Sequence, residues 1–179
     1  MKSNRVTPLG AITRGLIVGT IGTLAMDTLL YAEYRSGGGK REFSRWEFSA
    51  GIQNWEQAPA PAQVGRRLFE GLFQRELPDS RAALVNNITH WAFGILNGAA
   101  YGVVAGSAPK PRAWYGAIFG AGVWGSGYVV LPAAKLYSPI WKYNYNVLGK
   151  DLSAHLVYGL STATAFKLAI AARRSRRRP

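Results

Sequence analysis

The chain has 179 residues, enough for one domain, and no cysteine, which excludes disulfides, thiolate metal sites and a lipoprotein anchor. Its net charge of +13 is set against a near-neutral mean hydropathy, an average that hides a block arrangement. Residues 82–109 and 113–134, runs of 28 and 22, contain no Asp, Glu, Lys or Arg. A bilayer core of about 30 Å needs about 20 helical residues, and a water-exposed helix of that length would carry charge on its wet face.

The first predicted helix covers 9–31. Lys2, Arg5 and the apolar stretch from Leu9 resemble a signal peptide, but Arg14 interrupts that stretch and no A-x-A site follows. The segment is therefore read as a retained helix, with Arg14 snorkelling to the near interface and Asp27 close to the far end. Residues 35–81 form a long polar loop with eight basic and six acidic residues. Ser36-Gly37-Gly38-Gly39 opens it as a turn, and Trp46, Phe48 and Trp55 suit a membrane interface. Ala58-Pro59-Ala60-Pro61 reads as a stiff extended stretch. An amphipathic helix follows over 63–77, with Val64, Leu68, Leu72 and Phe73 on one face, lying flat on the membrane or capping the bundle and ended by Pro78. Predicted spans then occupy 84–106, 113–134 (kinked or ended by Pro132) and 152–172. An aromatic link with Tyr137, Trp141, Tyr143 and Tyr145 joins the last two.

The fold class expected is an all-α membrane protein with four transmembrane helices and an interfacial helix in the first loop. Lys2, Arg5, Arg14, Lys110, Arg112 and the tail Arg173, Arg174, Arg176, Arg177 and Arg178 share one side of such a bundle. The positive-inside rule makes that side cytoplasmic, in the inner (plasma) membrane. The same rule accounts for the basic tail without nucleic acid, since no interleaved aromatics accompany it.

An internal repeat joins the second and fourth spans. His90-Trp-Ala-Phe93-Gly94-Ile95 matches His155-Leu-Val-Tyr158-Gly159-Leu160, and eleven residues after each histidine stands an aromatic, Tyr101 or Phe166. Gly15 and Gly19 match Gly116 and Gly120 in the first and third spans, so the chain reads as two parallel helical hairpins. Gly94, Gly98, Gly102 and Gly106 fall at spacing four on one face, as do Gly15 and Gly19. Such rows let backbones approach closely, the main attraction between helices in lipid.

Those rows should face inward, and Asp27, His90, His155 and Tyr128 lie on or beside them at a similar depth. Three chemistries fit the constellation. The first is an internal polar lock, with Asp27 paired to a histidine. The second is a proton or ion site, because a carboxylate beside a histidine shifts its titration. The third is a haem b held by His90 and His155, with Gly94 and Gly159 leaving room for the ring. No phosphate-binding glycine loop, G-x-S-x-G or H-E-x-x-H motif occurs. The expected role is therefore non-enzymatic: an accessory or structural subunit embedded in the lipid bilayer, packing within a membrane-protein complex or a homo-oligomer. A proton- or ion-responsive transporter is the alternative and a haem-binding subunit the third.

The opening helix, Gly15-Leu-Ile-Val-Gly19-Thr-Ile-Gly22-Thr-Leu-Ala-Met-Asp27, resembles that of the YagU-like family of small bacterial inner-membrane proteins. This resemblance implies a four-helix layout and a pH-related or accessory role, and it carries no catalytic residues with it.

Overall fold

The computed structural model describes residues 7–49, 51–108 and 112–175. The basic residues Lys2, Arg5, Lys110, Arg176, Arg177 and Arg178, which carry most of the expected orientation signal, lie outside them. Among the described residues the protein is all-helical: α1 (Pro8–Ser36), α2 (Phe43–Ser49), α3 (Ala60–Phe73), α4 (Ala82–Ser107), α5 (Tyr115–Ala133) and α6 (Tyr145–Ser175), with short 3-10 turns at Asp79–Arg81 and Ile140–Lys142. Two of them, α1 and α5, are long and apolar enough to cross a membrane. α4 and α6 are long enough, but Asn86, Asn87, His90 and Asn97 in α4, and Asp151, His155 and Lys167 in α6, lower their hydropathy.

The helix ends differ from the expected ones for local reasons. α1 runs five residues past Tyr31, because Ala32 to Arg35 sustain a helix and the glycines then stop it. Gly38 adopts a positive φ of 91°, and the Gly39 N–H closes back on the Tyr34 carbonyl at 2.9 Å. α3 begins inside the stretch expected to be extended. Pro59 stays extended, while Ala60 and Pro61 already form the first turn, where a proline loses no hydrogen bond. That helix ends at Gln74 in the left-handed region (φ 52°), ahead of Pro78. α5 ends one residue after Pro132, with Lys135 left-handed at φ 57°. α6 starts at Tyr145, so the end of the expected aromatic link, from Tyr145 onward, is helical.

The chain divides into two compact units. The first takes in α1 up to Leu29, α4 from Gly94, α5 up to Gly125 and all of α6. Its apolar core joins Val18, Tyr101, Ala105, Ala163, Phe166 and Ile170. Tyr101 and Phe166, which correspond in the internal repeat, meet edge to face with centroids 5.8 Å apart.

The second unit comprises Leu30–Phe93 and Ser126–Asn144. Here the long polar loop is folded around its own small core of Trp55, Ala62 and Ala82. The Trp55 indole N–H donates to the Leu77 carbonyl at 2.8 Å, its backbone N–H donates to Asp79 Oδ1 at 3.1 Å, and the Arg66 guanidinium lies 5.1 Å from the ring centroid. Gln63 donates to the Trp55 carbonyl and Arg67 to that of Ala134. The amphipathic reading of α3 fits its composition, yet within the unit only Ala60 and Ala62 are buried. Leu68, Leu72 and Phe73 point outward, with Leu72 76% exposed.

Glu70 fastens the end of α3: its carboxylate accepts from the Leu77 N–H at 3.0 Å and from Arg66 Nε at 2.9 Å. Those two donors, the backbone one first, hold its pKa below the ordinary carboxylate value. The stabilisation is therefore complete above that ordinary value and is lost only as pH falls through the depressed one. The protection factor of the Leu77 amide, its exchange rate relative to the unstructured rate at the same pH, should be high at neutral pH and fall in acid, whereas Glu70→Gln should lower it already at neutral pH.

Trp55→Ala removes the centre of the loop core and should cost about 3 kcal/mol or more, read as faster limited proteolysis between residues 50 and 80. Gly71→Ala adds a Cβ into open space in the middle of α3 and should slow the same cleavage by stabilising that helix by up to about 1 kcal/mol.

Candidate functional site

Within the first unit, helices meet through glycine. A Cβ on Gly15 would stand 2.5 Å from the Gly98 carbonyl oxygen and 2.6 Å from Ala99 Cα. One on Gly19 would stand 2.9 Å from both the Gly94 oxygen and Gly98 Cα. Gly102 faces Ala11 and Gly15 in the same way. As the residue number rises on α1 it falls on α4, so the pair is antiparallel. The α5–α6 pair repeats this: Gly116 faces Gly159 and Ala163, and Gly120 faces His155 and Leu156. Gly106 continues the α4 row and is half-buried.

These contacts set the register of the repeat. Gly19 meets Gly94 and Gly98; Gly116 meets Gly159 and Ala163, the residues that correspond to them. Gly19 therefore answers to Gly116, one helical turn away from the expected Gly19–Gly120 match. Thr23, whose hydroxyl fills the space beside Gly94, answers to Gly120, and Asp27 to Trp124.

The polar residues of this unit follow the glycine rows. The Thr23 hydroxyl, 1% exposed, donates to the Gly19 carbonyl one turn back at 2.9 Å. The Tyr158 hydroxyl donates to the Gly94 carbonyl on α4 at 2.6 Å. Thr162 is fully buried, and the missing side chain of Gly22 makes room for it. Asp27, one turn beyond Thr23, is 2% exposed. His155 Nδ1 donates to the Asp151 carbonyl at 2.8 Å, with Asp151 Oδ1 at 3.3 Å. A carbonyl can only accept, so Nδ1 carries the proton, and in the neutral ring Nε2 keeps the lone pair.

The second unit holds the other two members of the expected constellation. Tyr128 is buried in a triad with Tyr137 and Tyr143, centroids 5.8 and 5.5 Å away. His90 is half-buried on α4, one residue before Trp91. Asp27 and His155 thus fall in one unit, His90 and Tyr128 in the other. Among the described residues no three His, Cys, Asp or Glu side chains gather into a set that could hold a metal ion.

Two features escaped the sequence reading. Asp151, on the helix that begins earlier than expected, is the partner of His155. In the second unit, Glu47 Oε1 accepts from the Trp91 indole at 2.7 Å and from Asn87 Nδ2 at 3.1 Å, which ties α2 to α4. The signal for the second was present in Asn87 and Trp91, four apart on one helical face.

A glycine-seamed, all-helical protein with two helices long and apolar enough to span a membrane is the class that fold and site define. The chain belongs to a family described as protein of unknown function (DUF1440), whose family model matches residues 72–164, just over half of its length. No curated protein and no solved structure matches it. The matched segment contains His90, Tyr128 and His155; Asp27 lies outside it.

Gly98→Ala places a methyl group against the backbone of α1 and should destabilise by about 3 kcal/mol, while Gly122→Ala, where a Cβ meets open space, should be neutral or slightly stabilising. Thermal unfolding in mild detergent reads both. Tyr158→Phe should cost about 0.6 kcal/mol and no more than about 1.7, the range for interhelical hydrogen bonds in membrane proteins.

Proposed function

We propose that this is a multi-pass membrane protein in which α1, α4, α5 and α6 cross the bilayer, and that it serves as a non-enzymatic accessory or structural subunit. One observation carries the membrane part. In the first unit, outside the cluster around Phe166, the helix seams bury small and polar residues while many large apolar ones face outward. Gly15, Gly19, Thr23, Asp27 and Thr162 are buried, whereas Val104, Ile118 and Leu168 are each more than 60% exposed. A water-soluble core has the opposite distribution. α1 and α5 are also less buried than the core helices of such a fold, with 33% and 22% of their apolar windows inside.

The hydroxyls support the same reading. Thr13, Thr20 and Thr28 are exposed on α1, and each donates to the carbonyl four residues back, at 2.7 to 3.0 Å. A hydroxyl satisfied by its own helix can face lipid without an open hydrogen bond. Arg14 reaches back to the Gly10 carbonyl at 2.6 Å, toward the end of α1 where a snorkelling arginine finds headgroups. The close packing of α1 on α4 favours its retention over removal as a signal sequence. The likeness of residues 15–27 to YagU-like proteins favours the bacterial inner membrane and a pH-related accessory role. Charge counting then puts both termini in the cytoplasm.

A proton- or ion-responsive role is the second reading, favoured by the buried Asp27 carboxyl and the His155–Asp151 pair in the same unit. Liposome flux that survives Asp27→Asn unchanged, or no flux at all, counts against it.

The protein should stay in the membrane pellet after alkaline carbonate washing. With no native cysteine, single replacements report topology cleanly. Gln53→Cys should react with an impermeant maleimide on intact cells, and Ser107→Cys only after permeabilisation. Release by carbonate refutes the membrane assignment, and labelling of both from one side refutes the crossing order. A partner co-purifying in mild detergent supports the subunit role, and a lone monomer opposes it.

A further inference from the structure

The second unit carries a basic concavity that neither the repeat nor the glycine rows explain. A shallow groove is lined by Arg41, Ser44, Arg45 and Phe48. Arg41 stands two residues before α2 and Arg45 in its first turn, Ser44 also lines the groove, and Phe48 is 67% exposed. The segment around it is net basic, with four cations against Glu33, Glu42 and Glu47 over residues 33–47. Arg35, Lys40, Arg41 and Arg45 are all exposed, and between 35 and 45 the one acid is Glu42. The next acid, Glu47, has its carboxylate engaged by Trp91 and Asn87 on α4.

The groove is also held in place. Tyr31, Tyr34, Phe43 and Trp46 stack on one another with centroids 5.2 to 6.1 Å apart, and the Tyr31 hydroxyl donates to the Arg41 carbonyl at 3.0 Å. The Arg41 N–H in turn donates to the Tyr34 hydroxyl at 3.2 Å. A pinned backbone lowers the entropy cost of ordering two arginines around a ligand.

We infer that this groove on α2 binds the phosphate of an anionic phospholipid headgroup. The inference rests on the membrane reading above. Arg41 and Arg45 follow the end of α1 within nine residues, the stretch in which a chain leaving the bilayer passes the headgroups. Guanidinium forks match phosphate oxygens two at a time, and a hydroxyl supplies a further donor. Phe48 gives the apolar edge that a lipid offers and a dissolved phosphate does not. Tyrosine and tryptophan beside the groove are the aromatic types of the interface belt.

The test uses the full-length protein reconstituted into phosphatidylcholine vesicles containing a minor fraction of phosphatidylglycerol, then re-extracted in mild detergent, with co-purifying lipid counted by mass spectrometry. The wild type should carry phosphatidylglycerol enriched several-fold over the vesicle composition. Arg41→Gln with Arg45→Gln should abolish most of that enrichment. Arg75→Gln with Arg81→Gln, which removes the same charge from elsewhere in the unit, should leave it intact. No enrichment in the wild type, or an equal loss in both pairs, overturns the inference. A phosphatidylglycerol photoreactive at its headgroup should label residues 41–49 of the unaltered protein; labelling confined to other segments overturns it without reference to any variant. Carbonate resistance of the same preparation is read separately, so a protein that is embedded but indifferent to headgroup charge defeats the groove alone.

Discussion

Everything in the first unit depends on how near two helix backbones can come. Gly15 and Gly19 on α1 meet Gly94, Gly98 and Gly102 on α4 with no side chain between, and Gly116 and Gly120 meet α6 likewise. Contacts that close gather dispersion from main-chain atoms and leave no room for the large apolar residues that fill a soluble core. The aromatic cluster of Tyr101 and Phe166 is kept within, while at the seams the large residues, such as Val104, Ile118 and Leu168, are therefore displaced to the outside. On the membrane reading the lipid then surrounds them, while burial of apolar area contributes little to holding the helices together.

The two helical hairpins share a scaffold but not a chemistry. With Gly19 answering to Gly116, the carboxyl of Asp27 stands where the second hairpin has the indole of Trp124, and the Thr23 hydroxyl stands where it has only Gly120. Conversely, Tyr158 reaches across to the Gly94 carbonyl, while its counterpart Phe93 has no hydroxyl to give. Polar groups were thus added to a repeated framework at different places in its two copies. The acid and the His155–Asp151 pair are each present once, which is how a site with a direction would be built from a near-symmetric bundle.

The helical framework was legible in the sequence because it depends on composition over long windows. Charge-free runs located α4 and α5, and spacing-four glycines identified the packing faces before any contact was known. Helix ends were less legible. The start of α3 depends on one proline tolerated in a first turn, and the start of α6 lies under polar and charged residues that hydropathy reads as a link. The contact between His155 and Asp151 was illegible for the same reason: with α6 taken to begin at Leu152, Asp151 was not on the helix. The small core around Trp55 was invisible as such. Its members are scattered over 52–85 without a period, and only the tertiary fold brings Leu77 and Asp79 to the indole.

The extent of the family match bears on where specificity resides. Residues 72–164 take in α4, α5 and α6 as far as Thr164, so the glycine contacts of the α5–α6 pair fall inside it, while Phe166 of the repeat lies just outside. The α4 row falls inside as well, but the helix that fills it, α1, lies outside, together with Asp27, α2 and nearly all of α3. A row of glycines cannot stand open in lipid or water without losing the contacts that justify its helix-propensity cost, about 1 kcal/mol for each residue. The matched segment thus needs a helix against α4, and in this chain α1 supplies it, along with the loop folded on Trp55 and the arginine groove. The family match therefore covers one hairpin of the repeat as far as Thr164 and half of the other, whereas α1, Asp27 and the arginine groove belong to the first 71 residues.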